Sequence, residues 1–388
     1  MSSVALIMSD NPYAPNGAAG YMKRLYESRE LAKPYGIKDV SMCHGGVNFI
    51  DAEKYVSSLM GKTKQSVKSA LLKTRWGTKV VVNSIMFRRG QNAIDMYTRL
   101  EKAPDVVVFN DFATHVLFMQ QHSGYQGLKI QLLHNNGEFS KMLYLSMPNI
   151  DPSWVEKVEQ NTLEDSDVIV LVGKKSMDRF NALYPEFRHK STHIHTGIND
   201  LGANFQKTVG EKLKFVSVGT VCSRKNQQVL LEVALDDEIN RRCVFDIVGG
   251  GPEYQLCKKR AIELGLENIV RFVGPSSNVV DYYRSSDAFI SVSRDEGLPT
   301  AALEAMSCGL PLVLTDVGSC EELIEGNGVL VPSCGSREII EGIKKFLSLY
   351  DGKSISGSAS REIFERCYTT EAMWREYSLL LDDCLGVD

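Results

Sequence analysis

Short apolar runs recur along this chain, each followed by turn residues and then by a segment whose apolar positions have helical spacing. Val4-Ala5-Leu6-Ile7-Met8 comes first, then the small residues of Asn16-Gly17-Ala18-Ala19-Gly20 and an amphipathic stretch over 21–32. Residues 106–109, 130–133 and 168–172 repeat the theme. Runs that are apolar without alternation suit strands buried on both faces, and such strands joined by helices make a parallel, doubly wound sheet. Turn residues at His195-Thr196-Gly197-Ile198-Asn199-Asp200 interrupt the series, and a second one follows at 215–219, 244–248, 270–273, 288–291 and 311–314. The pattern predicts two α/β domains, 1–197 and 198–369. A terminal segment, 370–388, carries a helix with Trp374, Tyr377 and Leu379-Leu380-Leu381.

Composition narrows the class. A chain of 388 residues exceeds one typical core, and 43% hydrophobic with 24% charged residues is ordinary globular usage. The net charge of −4 conceals an asymmetry, with a basic excess before residue 200 and an acidic excess after it. Nine cysteines without a C-x-x-C pair fit neither a disulfide framework nor a zinc knuckle, which favours a reducing cytosol. The first apolar run is too short for a signal peptide, and nothing approaches the ~18 apolar residues of a spanning helix. The expected location is the cytoplasm, either free or peripheral on the inner face of the membrane.

The densest chemistry lies in Ser293-Arg294-Asp295-Glu296-Gly297-Leu298-Pro299-Thr300-Ala301-Ala302-Leu303-Glu304-Ala305-Met306. Glu296 falls in a loop, Gly297 lets backbone approach a ligand, Pro299 suits the start of a helix, and Glu304 falls about two turns inside it. Unpaired N–H groups at such a helix start face a bound diphosphate, and a carboxylate such as Glu304 can accept two hydrogen bonds from a ribose diol. The plainer alternative is one acid in a first turn and another on a solvated face. This segment resembles the EX7E signature of retaining glycosyltransferases of GT-B fold, glycosyl transferases group 1, family 4. The likeness covers most of the C-terminal half and, more loosely, the N-terminal half.

The resemblance implies two facing Rossmann-like domains with a cleft between them. The N-terminal one would bind the acceptor, 198–369 the nucleotide sugar, and 370–388 would cross back to the N-terminal domain. It also implies donor contacts from Gly297, Leu298, Pro299, Thr300 and Glu304, with Glu296 on the transferred sugar. In Gly219-Thr220-Val221-Cys222-Ser223-Arg224-Lys225-Asn226 a strand exit leads into a helix, so Arg224 and Lys225 can clamp a leaving diphosphate. The family carries a basic residue where this chain has Thr220; Lys225 matches directly and Arg224 is a substitute. Gly274 belongs to the loop that in the family lies against the base. His134 stands where the family's N-terminal domain reaches the donor sugar, a position that also suits a purely structural histidine. Gly17 and Gly20 resemble the loop near the donor phosphates or acceptor, with Ala18 and Ala19 departing from the usual glycine pair. At the hinge, Thr196 and Asn199 replace the family's Asn and Asp.

Other signals are weaker. Gly61-Lys62-Thr63 lacks the preceding glycine of a phosphate loop, and Gly249-Gly250-Gly251 fails the dinucleotide spacing. Asp165-Ser166-Asp167 has the spacing of a metal-bound sugar-nucleotide site but precedes its strand, so no metal is expected there. Residues 54–89 are rich in Lys and Arg and contain no acid. Val56, Leu59, Met60, Val67, Ala70 and Leu71 share one helical face, with Lys62, Lys64, Lys68 and Lys73 outside it. That run suits an anionic membrane surface, a basic acceptor groove or an ordinary solvated face; no nucleic-acid partner is indicated. The expectation is a metal-independent, cofactor-free transferase moving sugar from a UDP-sugar to a saccharide or lipid-linked acceptor. Its rivals are a phosphorylase-like enzyme and a non-catalytic subunit that stabilises a partner transferase.

Overall fold

The computed structural model of the protein describes residues 2–14, 17–46, 67–68, 70–203 and 211–386. They form two compact units, Met1–Gly197 with Thr370–Asp388, and Ile198–Thr369. Among the described residues each unit is built on one six-stranded parallel sheet.

In the first unit β1 (Ser2–Met8), β2 (Ile37–His44), β3 (Val106–Phe109), β4 (Leu128–Leu133), β5 (Val168–Leu171) and β6 (Ser191–His193) stand in the order 2-1-3-4-5-6. The central strands are those with unbroken apolar runs: β3 and β5 are buried at every position, because helices cover both faces. Edge strand β2 is buried at only some positions and has no such run. The expected amphipathic stretch divides into helix Gly17–Glu27 and a 3₁₀ segment, Arg29–Tyr35, which ends at Gly36 in the left-handed conformation. Pro34 removes a helical donor there.

Helix Thr370–Leu385 buries Met373, Trp374, Tyr377 and Leu381 in the first unit. Trp374 Nε1 donates to Ser28 Oγ at 2.9 Å, and the hydroxyls of Tyr377 and Tyr21 meet at 2.7 Å. A buried aromatic with a polar tip needs such a partner. The same helix holds the end of the unit's chain, since Glu376 accepts from His195 N at 3.1 Å.

The second unit contains β7 (Leu213–Val218), β8 (Cys243–Val248), β9 (Val270–Gly274), β10 (Ala288–Ser291), β11 (Leu312–Thr315) and β12 (Gly328–Val331), ordered 12-11-10-7-8-9. Phe215, Phe245, Ile290, Val313, Ile343 and Phe346 lie in one apolar core beneath helix Ser336–Asp351. All twelve strands run parallel to their neighbours, so the chain leaves each sheet along a single carboxyl edge.

Several expectations change. Residues 54–66, including Val56, Leu59, Met60, Lys62 and Lys64, lie outside the described residues. Beyond them Val67 is 55% exposed, Ala70 is exposed and Leu71 half-buried, so these three do not share a buried stripe. The chain continues as helix Arg75–Val81, a π-helical turn over Val82–Phe87, and helix Arg88–Thr98. Asp165 and Asp167 serve the sheet: Asp165 accepts from Lys129 Nζ at 2.9 Å and meets His115 Nε2 at 3.0 Å, while Asp167 accepts from Lys129 N at 2.8 Å.

Candidate functional site

The carboxyl edge of the second sheet gathers most of the predicted site, and its loops are bonded to one another strand by strand. Gly249 N donates to Gly274 O at 2.8 Å, joining the exits of β8 and β9. Gly219 N donates to Val248 O at 3.0 Å and Val221 N to Gly250 O at 2.8 Å, joining β7 to β8. Arg294 N donates to Arg224 O and Ser319 N to Gly297 O, both at 2.8 Å, linking β7, β10 and β11. Glycine is required at the closest approaches. A Cβ on Gly249 (φ +144°) would lie 2.0 Å from Gly219 O, and one on Gly318 (φ +55°) 2.0 Å from Glu296 O.

Within this rim Glu296 is only 7% exposed yet ionised. Lys225 Nζ reaches its Oε1 at 2.5 Å, Arg224 Nη1 its Oε2 at 3.3 Å, and Ser293 Oγ donates to Oε1 at 2.7 Å. Burial alone would raise the carboxyl pKa; Lys225 and then Arg224, with hydrogen bonds from Lys225 and Ser293, hold it below the ordinary carboxylate value. Arg224 also donates to Asp295 O at 2.8 Å.

The pair is aimed by the next residue. Asn226 is 1% exposed and left-handed at φ 57°, and its Nδ2 donates to Val292 O and Cys334 O at 3.2 and 3.0 Å. Arg294 forks onto its Oδ1 at 3.1 and 2.9 Å. Asn tolerates this conformation better than other residues with a Cβ.

Pro299 stands as the N-cap of helix Thr300–Ser307, whose first residue is Thr300. Gly297 and Leu298 form the loop before it, and Leu298 is buried. Glu304 is the fifth residue of this eight-residue helix, so it lies little more than one turn inside rather than two. Its Oε2 accepts from the hydroxyl of Tyr283 at 2.7 Å. Gly274 is left-handed at φ +97°, and a Cβ there would lie 3.2 Å from the Tyr254 hydroxyl.

The remaining candidates lie in the first unit. His134 follows β4, where its Nε2–H donates to Asn110 Oδ1 at 2.7 Å and its ring meets Tyr21 edge-on at 5.0 Å. Burial, and secondarily Arg24, lower its pKa to about 4, so the ring is neutral at pH 7 with Nδ1 as an acceptor. Gly17 and Gly20 lie in the first turn of helix Gly17–Glu27 instead of in a loop; Gly20 faces Arg24, and a Cβ on Gly17 would meet nothing.

Sequence reasoning missed Tyr283, Ser293, Asn226 and Asn110. Ser293 and Asn226 flank recognised residues, but nothing in the spacing ties Tyr283 to a helix 21 residues away. Among the described residues no cluster of His, Cys, Asp or Glu is placed to hold a metal.

Comparison with known proteins bears on this arrangement. The profile of the family described as "Glycosyl transferases group 1" matches residues 203–361. The chain is 40% identical over 120 residues to the O-antigen biosynthesis glycosyltransferase WbnH of Escherichia coli, covering 30% of this chain and 33% of the relative. It is 34% identical over 94 residues to the lipopolysaccharide core biosynthesis mannosyltransferase LpsB of Rhizobium meliloti, covering 23% and 27%. The matches thus span about a third or less of these relatives' lengths. Sucrose-phosphate synthase (tll1590) from Thermosynechococcus elongatus superposes over 100% of both chains with TM-score 0.73 at 16% identity. Anabaena Alr3699/HepE in complex with UDP superposes over 99% of this chain and 100% of its own with TM-score 0.66 at 15% identity. At such identity the likeness is one of fold, the two-unit α/β fold of the GT-B class.

Proposed function

We propose, for a chain whose residues 203–361 match the glycosyl transferases group 1 profile, that it transfers a sugar from a UDP-sugar to a saccharide or lipid-linked acceptor. The observation that carries this reading is the buried Glu296 held between Lys225, Arg224 and Ser293 on the rim that also presents Glu304. Glu304 takes the ribose diol, Lys225 and Arg224 the diphosphate, and Glu296 hydroxyls of the transferred sugar. The relatives' names support glycan assembly, and the UDP complex of HepE supports the nucleotide.

As the bond from anomeric carbon to diphosphate oxygen breaks, negative charge grows on the diphosphate. Lys225, Arg224 and the backbone N–H groups of Gly297, Leu298 and Thr300 stabilise it in a preorganised setting. The acceptor hydroxyl attacks from the face of departure and passes its proton to the leaving phosphate oxygen, which retains the anomeric configuration. The cations take the electrostatic role that a metal fills elsewhere, and Asp165 and Asp167 are committed to protein donors; both support a metal-independent reaction. In the first unit, His134 with Gly17 and Gly20 offers a saccharide-binding surface, His134 as a hydrogen-bond acceptor. The same unit exposes Trp76 (72%) among Lys73, Arg75 and Lys79, which supports contact with an anionic membrane.

The test is a thermal-shift screen of UDP-glucose, UDP-galactose, UDP-N-acetylglucosamine and GDP-mannose, then transfer assays with and without EDTA and NMR of the product anomer. A ligand at 100 times its Kd adds about 2.7 kcal/mol of stability. The expected result is stabilisation by a UDP-sugar, transfer that survives EDTA, and retention. With Lys225→Ala, turnover should fall by more than binding. Absence of binding to every donor, or an inverted product, overturns the reading.

A further inference from the structure

Tyr283 is the last but one residue of the short helix Val279–Arg284 and is completely buried. Its hydroxyl donates to Glu304 Oε2 at 2.7 Å, within hydrogen-bond range for a phenol and a carboxylate. The ring packs near Phe289 of β10, with centroids 6.3 Å apart. It is thereby fixed against the strand whose following loop carries Glu296. Burial first, then the neighbouring Glu304 carboxylate, push the phenol far above its ordinary range, so the group donates at every physiological pH.

A glutamate on a helix surface has three rotatable bonds, and a half-buried one ordinarily samples several rotamers. Here a donor on a fully buried ring holds one carboxylate oxygen in place. Each carboxylate oxygen has two acceptor sites, and the phenol takes one of the four.

We infer that Tyr283 is a positioning residue that orients the Glu304 carboxylate for the two ribose hydroxyls, so that it sets the preference for ribonucleotide over dideoxyribonucleotide donors. This rests on the reading of Glu304 as the ribose-binding group. Tyr283 touches no substrate; it lowers the rotamer entropy lost when the diol binds, and it keeps the carboxylate aligned.

The experiment is calorimetric titration of the full chain and of Tyr283→Phe and Glu304→Gln. The probes are UDP, GDP and ADP, and the 2′,3′-dideoxy counterpart of whichever diphosphate the unaltered chain binds most tightly. Phe preserves the ring and its packing, and thermal midpoints identify any variant that fails to fold. Tyr283→Phe should weaken ribonucleotide binding about tenfold, because the diol must then order a freed glutamate side chain, and leave dideoxynucleotide binding within about twofold. Glu304→Gln should likewise remove the ribo-to-dideoxy preference.

Three outcomes overturn the inference. If Tyr283→Phe binds that diphosphate as the unaltered chain does while Glu304→Gln does not, the hydroxyl has no positioning role although the ribose reading stands. If Tyr283→Phe weakens both nucleotides equally, the tyrosine is merely structural. If the unaltered chain binds none of the three diphosphates, the nucleotide-sugar reading fails and this inference with it.

Discussion

At the scale of the residue, His134 offers a clean electrostatic test. Its pKa falls from 6.5 to about 4 because burial, helped by Arg24, disfavours the imidazolium. The folded state therefore resists protonation that the unfolded state accepts. The stabilisation is fully present above the unfolded value and is lost as pH falls through the interval from 6.5 to about 4, amounting to roughly 3 kcal/mol. Replacing His134 by Gln keeps a donor for Asn110 and removes the titration. Urea unfolding between pH 7 and pH 4 should show the unaltered chain losing stability that His134→Gln retains. Parallel pH profiles for the two proteins would assign the acid sensitivity to other groups.

At the scale of the element, the loops leaving β7 and β8 act as one platform, because backbone of one sits where a Cβ of the other would be. Gly249→Ala should cost about 2–5 kcal/mol, combining a strained φ with a Cβ pressed on Gly219 O. Gly265→Ala supplies the control: its φ is +68°, but a Cβ there meets nothing within 4 Å, so only the left-handed penalty of about 1–2 kcal/mol remains. The unfolding midpoint of the second unit should fall further for Gly249→Ala. Equal losses would mean that the loops have room to separate, and then Lys225 and Glu296 would not be held by this packing.

At the scale of the whole molecule, the described residues contain no helix long and apolar enough to cross a membrane. The proposed membrane contact rests on surface chemistry. Trp76 supplies an amphipathic ring, and Lys73, Arg75 and Lys79 about 1 kcal/mol each toward anionic lipid. Cosedimentation with phosphatidylglycerol-containing vesicles should occur at low salt and weaken at physiological ionic strength, where screening limits the charges to ~8 Å. Replacing the three cations with Gln and Trp76 with Ala should abolish it without altering nucleotide binding. Failure of the unaltered chain to bind at low salt would remove the membrane as a partner.

What the sequence settled follows from local physics. A strand covered on both faces must be apolar at nearly every position, which made β1, β3, β5, β8 and β10 visible, and helix Thr370–Leu385 announced itself by its aromatic and leucine spacing. β2 and β6 are edge strands with few fully buried positions, so no apolar run marks them, and at the other sheet's edge β12 offers only the short run Val329-Leu330-Val331. Glu296, Lys225, Pro299 and Glu304 were legible because strand exits and helix starts need particular residues at fixed offsets. Their partnerships were not. Lys225 lies 71 residues before Glu296, and Tyr283 lies on a different helix from Glu304; only the parallel sheet, which brings successive strand exits to one edge, makes them neighbours. Residue types and short spacings are written in the chain, whereas the protonation state of Glu296 and the orientation of Glu304 depend on burial and on donors that tertiary packing alone supplies.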